Sequence, residues 1–166
     1  MSDLDQGAAG NGSQTPPAAP TGQPPLTVHS QYVRDLSFEN PNAPASLANQ
    51  KEAPKIEVKL DVGARRLQEQ IYELLLKIDL TAKHGDQTAF VMELEYGALC
   101  TVDPTLENEA VQKLLMIEGA RTVFPFARRV IADVTRDGGF PPVLINTIDF
   151  TRLYEQRRQA AGAAEA

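Results

Sequence analysis

The chain of 166 residues has one cysteine, Cys100, and two histidines, His29 and His84. A single thiol closes no disulfide within the chain, which suits a reducing compartment. Nowhere do about 18 apolar residues run together, so no segment reads as a membrane-spanning helix. The amino-terminal end lacks the basic start and apolar run of a secretory signal. These absences set the expectation of a soluble, cytoplasmic protein.

Chemical motifs are equally scarce. There is no Gly-rich phosphate loop, no paired cysteines or HExxH for zinc, and no Gly-x-Ser-x-Gly elbow. The sequence therefore predicts no enzyme, no cofactor and no metal site. His29 and His84 fall at a strand start and a hairpin tip, where they read as solvated side chains. Cys100 falls on the inward face of a strand, as a small apolar filler. No Lys/Arg stripe with interleaved aromatics is present to follow a phosphate backbone, which disfavours nucleic acid.

What the chain does contain is unevenly distributed. Residues 1–26 hold five prolines and almost no aliphatic side chain, too little apolar surface to order themselves, and are expected as a disordered leader. Net charge is −6, and residues 27–103 carry 12 acids against 8 bases while residues 104–166 carry 8 of each. The acidity thus sits in the first half of the fold, and a basic protein is the better-matched partner.

Hydropathy then alternates with period two. From Thr27 to Glu39 the even positions include Val28, Tyr32, Leu36 and Phe38, and Ile56, Val58, Leu60 and Val62 alternate with Lys55, Glu57, Lys59 and Asp61. A short connection is expected at Gly63. A third strand over Ile71–Lys83 faces inward with Tyr72, Leu74, Leu76, Ile78 and Leu80. After a reversal at His84-Gly85-Asp86-Gln87, a fourth carries Phe90, Met92, Leu94, Tyr96 and Cys100 inward and Val91, Glu93 and Glu95 outward. The run Asn40-Pro41-Asn42-Ala43-Pro44 ends the first strand with two prolines that forbid a tight hairpin and force a crossover. Beyond Pro104 the period becomes helical, with Leu106, Ala110, Leu114 and Ile117, an end or bend at Gly119, and a second run over Val123–Arg136 stopped by Asp137-Gly138-Gly139. Asp149 reads as the N-cap of a last helix holding Phe150, Leu153 and Tyr154, with residues 159–166 as a flexible tail. The expected fold is α+β: a four-stranded antiparallel sheet of Greek-key type, a long interrupted helix and a short carboxy-terminal helix. The stripe around Phe124, Val130 and Ile131 is wider than one side of a sheet needs, a sign of burial against another subunit.

Two surfaces admit two readings each. Asp35 and Glu39 share a face, which Glu93 and Glu95 join if the crossover returns the first strand beside the fourth. They form either a solvated sheet face or an acidic docking patch. The apolar side of Ile56–Val62 is either ordinary core or a binding surface.

The run Ser37-Phe38-Glu39-Asn40-Pro41-Asn42-Ala43-Pro44, with Phe124-Pro125-Phe126-Ala127-Arg128 and the ending Gly139-Phe140-Pro141-Pro142 through Asp149-Phe150-Thr151-Arg152-Leu153-Tyr154, closely resembles the SecB family of bacterial protein-export chaperones. The resemblance spans residues 27–158 and implies a cytosolic dimer of dimers. It implies an ATP-independent holdase that keeps precursor proteins unfolded and delivers them to SecA, the translocation ATPase. On the same ground Asp35, Glu39, Val91 and Glu93 would receive the basic zinc-bearing segment of SecA. Val58, Leu60 and Val62, with Leu47 and with Phe150, Leu153 and Tyr154, would line a groove for unfolded clients. The ending Arg152 to Ala166 departs from the family by being basic and then alanine-rich. Two other readings stand beside this one: a SecB-like chaperone dedicated to one client of toxin-antitoxin type, and a small α+β enzyme or carrier with an apolar pocket. The last would need Asp35, Glu39 or Glu93 as a buried base.

Overall fold

The computed structural model describes residues 22, 24–48 and 52–164. Most of the expected leader, residues 1–21 and 23, lies outside the described residues. Its end does not: the Pro25 carbonyl accepts the Asp103 N–H at 3.1 Å, and Leu26 opens the first strand.

The period-two segments form β1 (Leu26–Glu39), β2 (Lys55–Arg66), β3 (Ile71–His84) and β4 (Gln87–Val102), in the sheet order β1-β4-β3-β2. All neighbours are antiparallel. β2, β3 and β4 follow one another through hairpins, while the crossover carries the chain from β1 at one edge to β2 at the other and leaves β1 beside β4, which is Greek-key connectivity. Gly85 makes the β3–β4 turn at φ +58°, in the left-handed region open to glycine. The crossover leaves β1 through Asn40-Pro41, pins Asn42 Nδ2 to the Thr88 carbonyl at 2.8 Å, and makes the single turn α1 (Ala45–Ala48).

Two expectations need correction and a third is narrowed. Gly63 is no connection, because β2 runs through it, opposite Leu75, to Arg66, and the chain reverses at Leu67–Gln70. It lies on an edge strand with open space where its side chain would be, so the ladder continues without one. Tyr32 does not share the inward face of β1. The register on β4 shifts between Val28 and Ser30 and again between Val33 and Asp35, and each extra residue inverts the side-chain count until the next restores it. Tyr32 consequently sits opposite Gly97 on the outer face. Of the end or bend expected at Gly119, the structure has no end but an irregular turn that closes there. α2 (Asn108–Leu114) passes through a wide π-helical turn over Leu115–Gly119 into α3 (Ala120–Asp137), one long element with Pro125 inside it. A Cβ on Gly119 would stand 3.0 Å from Leu74 Cδ2, so this glycine lets the helix approach the sheet.

That helix covers the inner face. Leu74, Leu76, Ile78 and Leu80 of β3 and Phe90, Met92 and Leu94 of β4 are fully buried against Leu115, Ala120, Val123, Phe124, Ala127 and Ile131. Each large apolar side chain so buried contributes about 1.5–3 kcal/mol. α3 stops where the sequence predicts, at Gly138 and Gly139, the latter at φ +89°. Asp149 Oδ1 accepts the Arg152 N–H at 3.1 Å and caps α4 (Phe150–Ala164). This helix passes beyond Arg158, so residues 159–164 of the expected tail are helical.

Candidate functional site

The two candidate surfaces lie on opposite sides of the sheet and differ in chemistry. On the inner side, where β2 projects past the cover of the long helix, Ile56, Val58 and Leu60 face the extended segment 140–148 across an open groove of about 560 Å³. Phe90, Phe140, Pro141, Pro142, Val143, Leu144, Ile145 and Ile148 complete most of its lining, with Ala53 and Pro54 at the end of the crossover. Asn146 and Thr147 are polar, and among the described residues no charged one lines it. Val58 is 41% exposed and Leu144 75% exposed, so the apolar floor and wall are open to water.

The far wall is held in place by polar contacts around α3. Thr135 is fully buried, yet its hydroxyl donates to the Ile131 carbonyl at 2.8 Å and accepts the Val143 N–H at 3.0 Å. Phe140 N–H donates to the Thr135 carbonyl at 3.1 Å, and Arg128 Nη1 donates to the Ile145 carbonyl at 3.3 Å. Phe38 stacks on Phe90 with ring centroids 5.4 Å apart, and Phe140 packs tilted against Phe90 at 4.9 Å. A segment without helix or strand thus keeps a fixed apolar face.

Of the residues expected at a client groove, Val58 and Leu60 line it. Val62 is buried in the core at the next inward position of β2. Leu47 is exposed and lies against Gly139, next in sequence to groove-lining Phe140. Phe150 and Tyr154 point into the core, where Phe150 meets Phe124 edge-on at 5.6 Å, and Leu153 is half-buried beside them. These three anchor α4. Sequence reading missed the 140–148 wall, whose only advance signal is its run of prolines and aliphatics.

The outer face is polar. Antiparallel register sets Glu39 opposite Val91, Ser37 opposite Glu93 and Asp35 opposite Glu95, so the four expected docking residues form one contiguous patch across β1 and β4. Asp35, Glu39 and Glu93 are exposed and Val91 is half-buried. On β3, Asp79 stands opposite Glu93 and extends the acidity by one strand. Asp35, Glu39 and Glu93 do not line the groove, and all three are open to solvent, unlike the buried base that an enzyme reading would need. The same residues offer no cluster of three metal-ligating side chains.

Below the patch the face changes character. Glu73 is 5% exposed on β3 and accepts the Tyr32 hydroxyl at 2.6 Å and a short hydrogen bond from Arg65 Nε. The Tyr32 hydroxyl, with Arg65 and Arg34, holds the Glu73 carboxyl below the usual glutamate range against the opposing effect of burial. Burial, then the bond to Glu73, raises Tyr32 in turn. Arg34, the extra residue of the second bulge, lies 3.6 Å from both Glu73 and Glu95.

A groove with no charged lining among the described residues thus lies on one side of the sheet and an acidic patch on the other. The family model described as preprotein translocase subunit SecB matches residues 19–161. The protein-export protein SecB of Parvibaculum lavamentivorans is 48% identical over 100% of this chain and 97% of its own. That of Rhodopseudomonas palustris strain BisA53 is 47% identical over 94% and 97%. Among solved structures, the SecB-like chaperone of Mycobacterium tuberculosis, in complex with a ChAD peptide from an antitoxin, superposes with a TM-score of 0.64. It is 12% identical, covering 74% of this chain and 90% of that one, so it speaks for the fold alone. With the family model spanning nearly all of the described fold and near-half identity at full length, this chain belongs to the SecB family.

Proposed function

We propose that this protein is an ATP-independent chaperone for protein export, a holdase that keeps precursors unfolded in the cytosol and passes them to SecA. The observation that carries the reading is the open groove of about 560 Å³ with no charged residue in its lining among the described residues. Aliphatic surface of this kind retains extended apolar polypeptide without reading a sequence, and folded proteins present no such polypeptide to it. Val58, Leu60, Leu144 and Ile145 are the side chains best placed to touch a client. Leu47 flanks that surface. No bond is made or broken in holding, so no catalytic group, cofactor or metal is required.

Delivery uses the opposite face. Asp35, Glu39, Val91 and Glu93 form the patch for the basic zinc-bearing SecA segment, with charges to attract it and one apolar contact to seat it. Assembly as a dimer of dimers would give Phe126, which is 46% exposed on the outside of α3, an apolar partner. The location follows from the task, and no helix among the described residues is long and apolar enough to cross a membrane.

The test is aggregation of a chemically denatured client, diluted into buffer without nucleotide. Wild type should suppress light scattering, and Val58→Asp combined with Leu144→Asp should lose most of that effect with its thermal unfolding little changed. Wild-type protein that fails to suppress aggregation overturns the holdase reading.

A further inference from the structure

On β1 the acidic outer face is broken by a cation, Arg34, whose position the alternation of the strand does not foretell. Arg34 is the unpaired residue between Val33 and Asp35, and the bulge brings its guanidinium onto the outer face, 3.6 Å from Glu95 Oε2. Its side chain is 43% exposed, against 26% for Glu95, so the cation is more open to an approaching partner than the carboxylate it neutralises. Glu95 also stands opposite Lys77 on β3. Glu93, one step along the same face of β4, has Ser37 and Asp79 opposite it, and neither Asp35 nor Glu93 takes part in an ion pair among the described residues. The face therefore divides at Arg34: free carboxylates toward Glu39 and the crossover, compensated ones toward Glu73.

We propose that Arg34 is a specificity-determining residue that ends the acidic docking patch and fixes where along β1 and β4 a basic partner segment can lie. The proposal rests on the reading of that patch as the SecA site. Arg34 repels a cationic segment that slides toward Glu95, and it removes Glu95 from the attractive surface, so docking is confined to the part between Asp35 and Glu39. Strand pairing sets the boundary through one inserted residue.

The test titrates the basic zinc-bearing SecA segment against wild type, Arg34→Gln, Glu95→Gln and the double variant at low and high salt. Arg34→Gln should bind about fivefold more tightly at low salt, the size of one like-charge contact at the protein surface, and the gain should shrink as salt screens it. Glu95→Gln alone should change affinity by less than about twofold, and in the Arg34→Gln background it should remove most of the gain. Unchanged or weaker binding by Arg34→Gln overturns the proposal. So does a loss on Glu95→Gln alone as large as that on Glu93→Lys, a result that decides the matter even if Arg34→Gln folds poorly. Glu93→Lys is the control for the underlying reading: wild-type affinity there removes the patch and this inference together, whereas weak binding with no effect at Arg34 removes the inference only.

Discussion

The ring of Tyr32 lies across the backbone of Gly97, so close that a Cβ on that glycine would stand 2.6 Å from Tyr32 Cε2. The glycine faces an aromatic directly opposite on the neighbouring strand, which covers the bare backbone and carries its hydroxyl on to Glu73. An added methyl must push the ring away and break that hydrogen bond. Gly97→Ala is therefore expected to destabilise the protein by about 1–3 kcal/mol. The measurement is denaturant unfolding at neutral pH. Tyr32→Ala should remove most of the penalty of Gly97→Ala in the double variant, because the clash partner is gone.

Glu73 gives stability a pH dependence with a definite sign. Its folded carboxyl titrates below the usual glutamate range, chiefly through the Tyr32 hydroxyl. The stabilisation is complete above the unfolded value of about 4.3 and is lost as pH falls from there through the depressed folded value. Unfolding followed from neutral pH into that acid window should show Glu73→Gln with a flatter slope than wild type. An identical slope for both proteins would remove the network from the account of acid stability.

Burial pushes the Cys100 thiol up to about 11. The native thiol should therefore resist alkylation at pH 8 and react only on unfolding, which intact mass with and without denaturant will show. The linkage runs the other way from that of Glu73. The folded thiol keeps its proton while the unfolded one, with an ordinary value of about 8.5, loses it, so this contribution to stability falls as pH rises through that interval.

How far these features could be read in the sequence follows from what alternation encodes. β3 and β4 are central strands with uninterrupted period-two runs, and Leu74 to Leu80 and Phe90 to Leu94 fall on the buried side as read. β1 is an edge strand, where two inserted residues cost little, and nothing in His29-Ser30-Gln31-Tyr32-Val33-Arg34 marks them. The inversion of Tyr32 and the emergence of Arg34 were illegible for that reason. At Gly119 the sequence leaves an end and a bend undecided, because a glycine required for close approach has the same letter as one that ends a helix. The acidic patch was legible in its residues and conditional on one topological fact, the return of β1 to β4, which the fold supplies. The groove was half legible: Val58 and Leu60 lie on a periodic strand, whereas 140–148 has no period and takes its shape from Thr135, Arg128 and the capped end of α3.

Assembly is tested best at Phe126. The apolar stripe of α3 is spent largely on its own sheet, since Val123, Phe124, Ala127 and Ile131 are buried within one protomer. Val130 is half-buried against the same core, so a charge there would disturb the fold as well as any interface. Phe126 points outward, and exposed positions seldom change stability by more than about 0.5 kcal/mol. Phe126→Glu should thus leave the melting of each protomer intact while shifting the mass measured by light scattering from tetramer toward dimer or monomer at micromolar concentration. A wild-type protein that is already monomeric there sinks the dimer of dimers. A Phe126→Glu protein that stays tetrameric moves the interface off this stripe, leaving the uncovered edge of β1, where Val33 and Leu36 are exposed, as the face to test next.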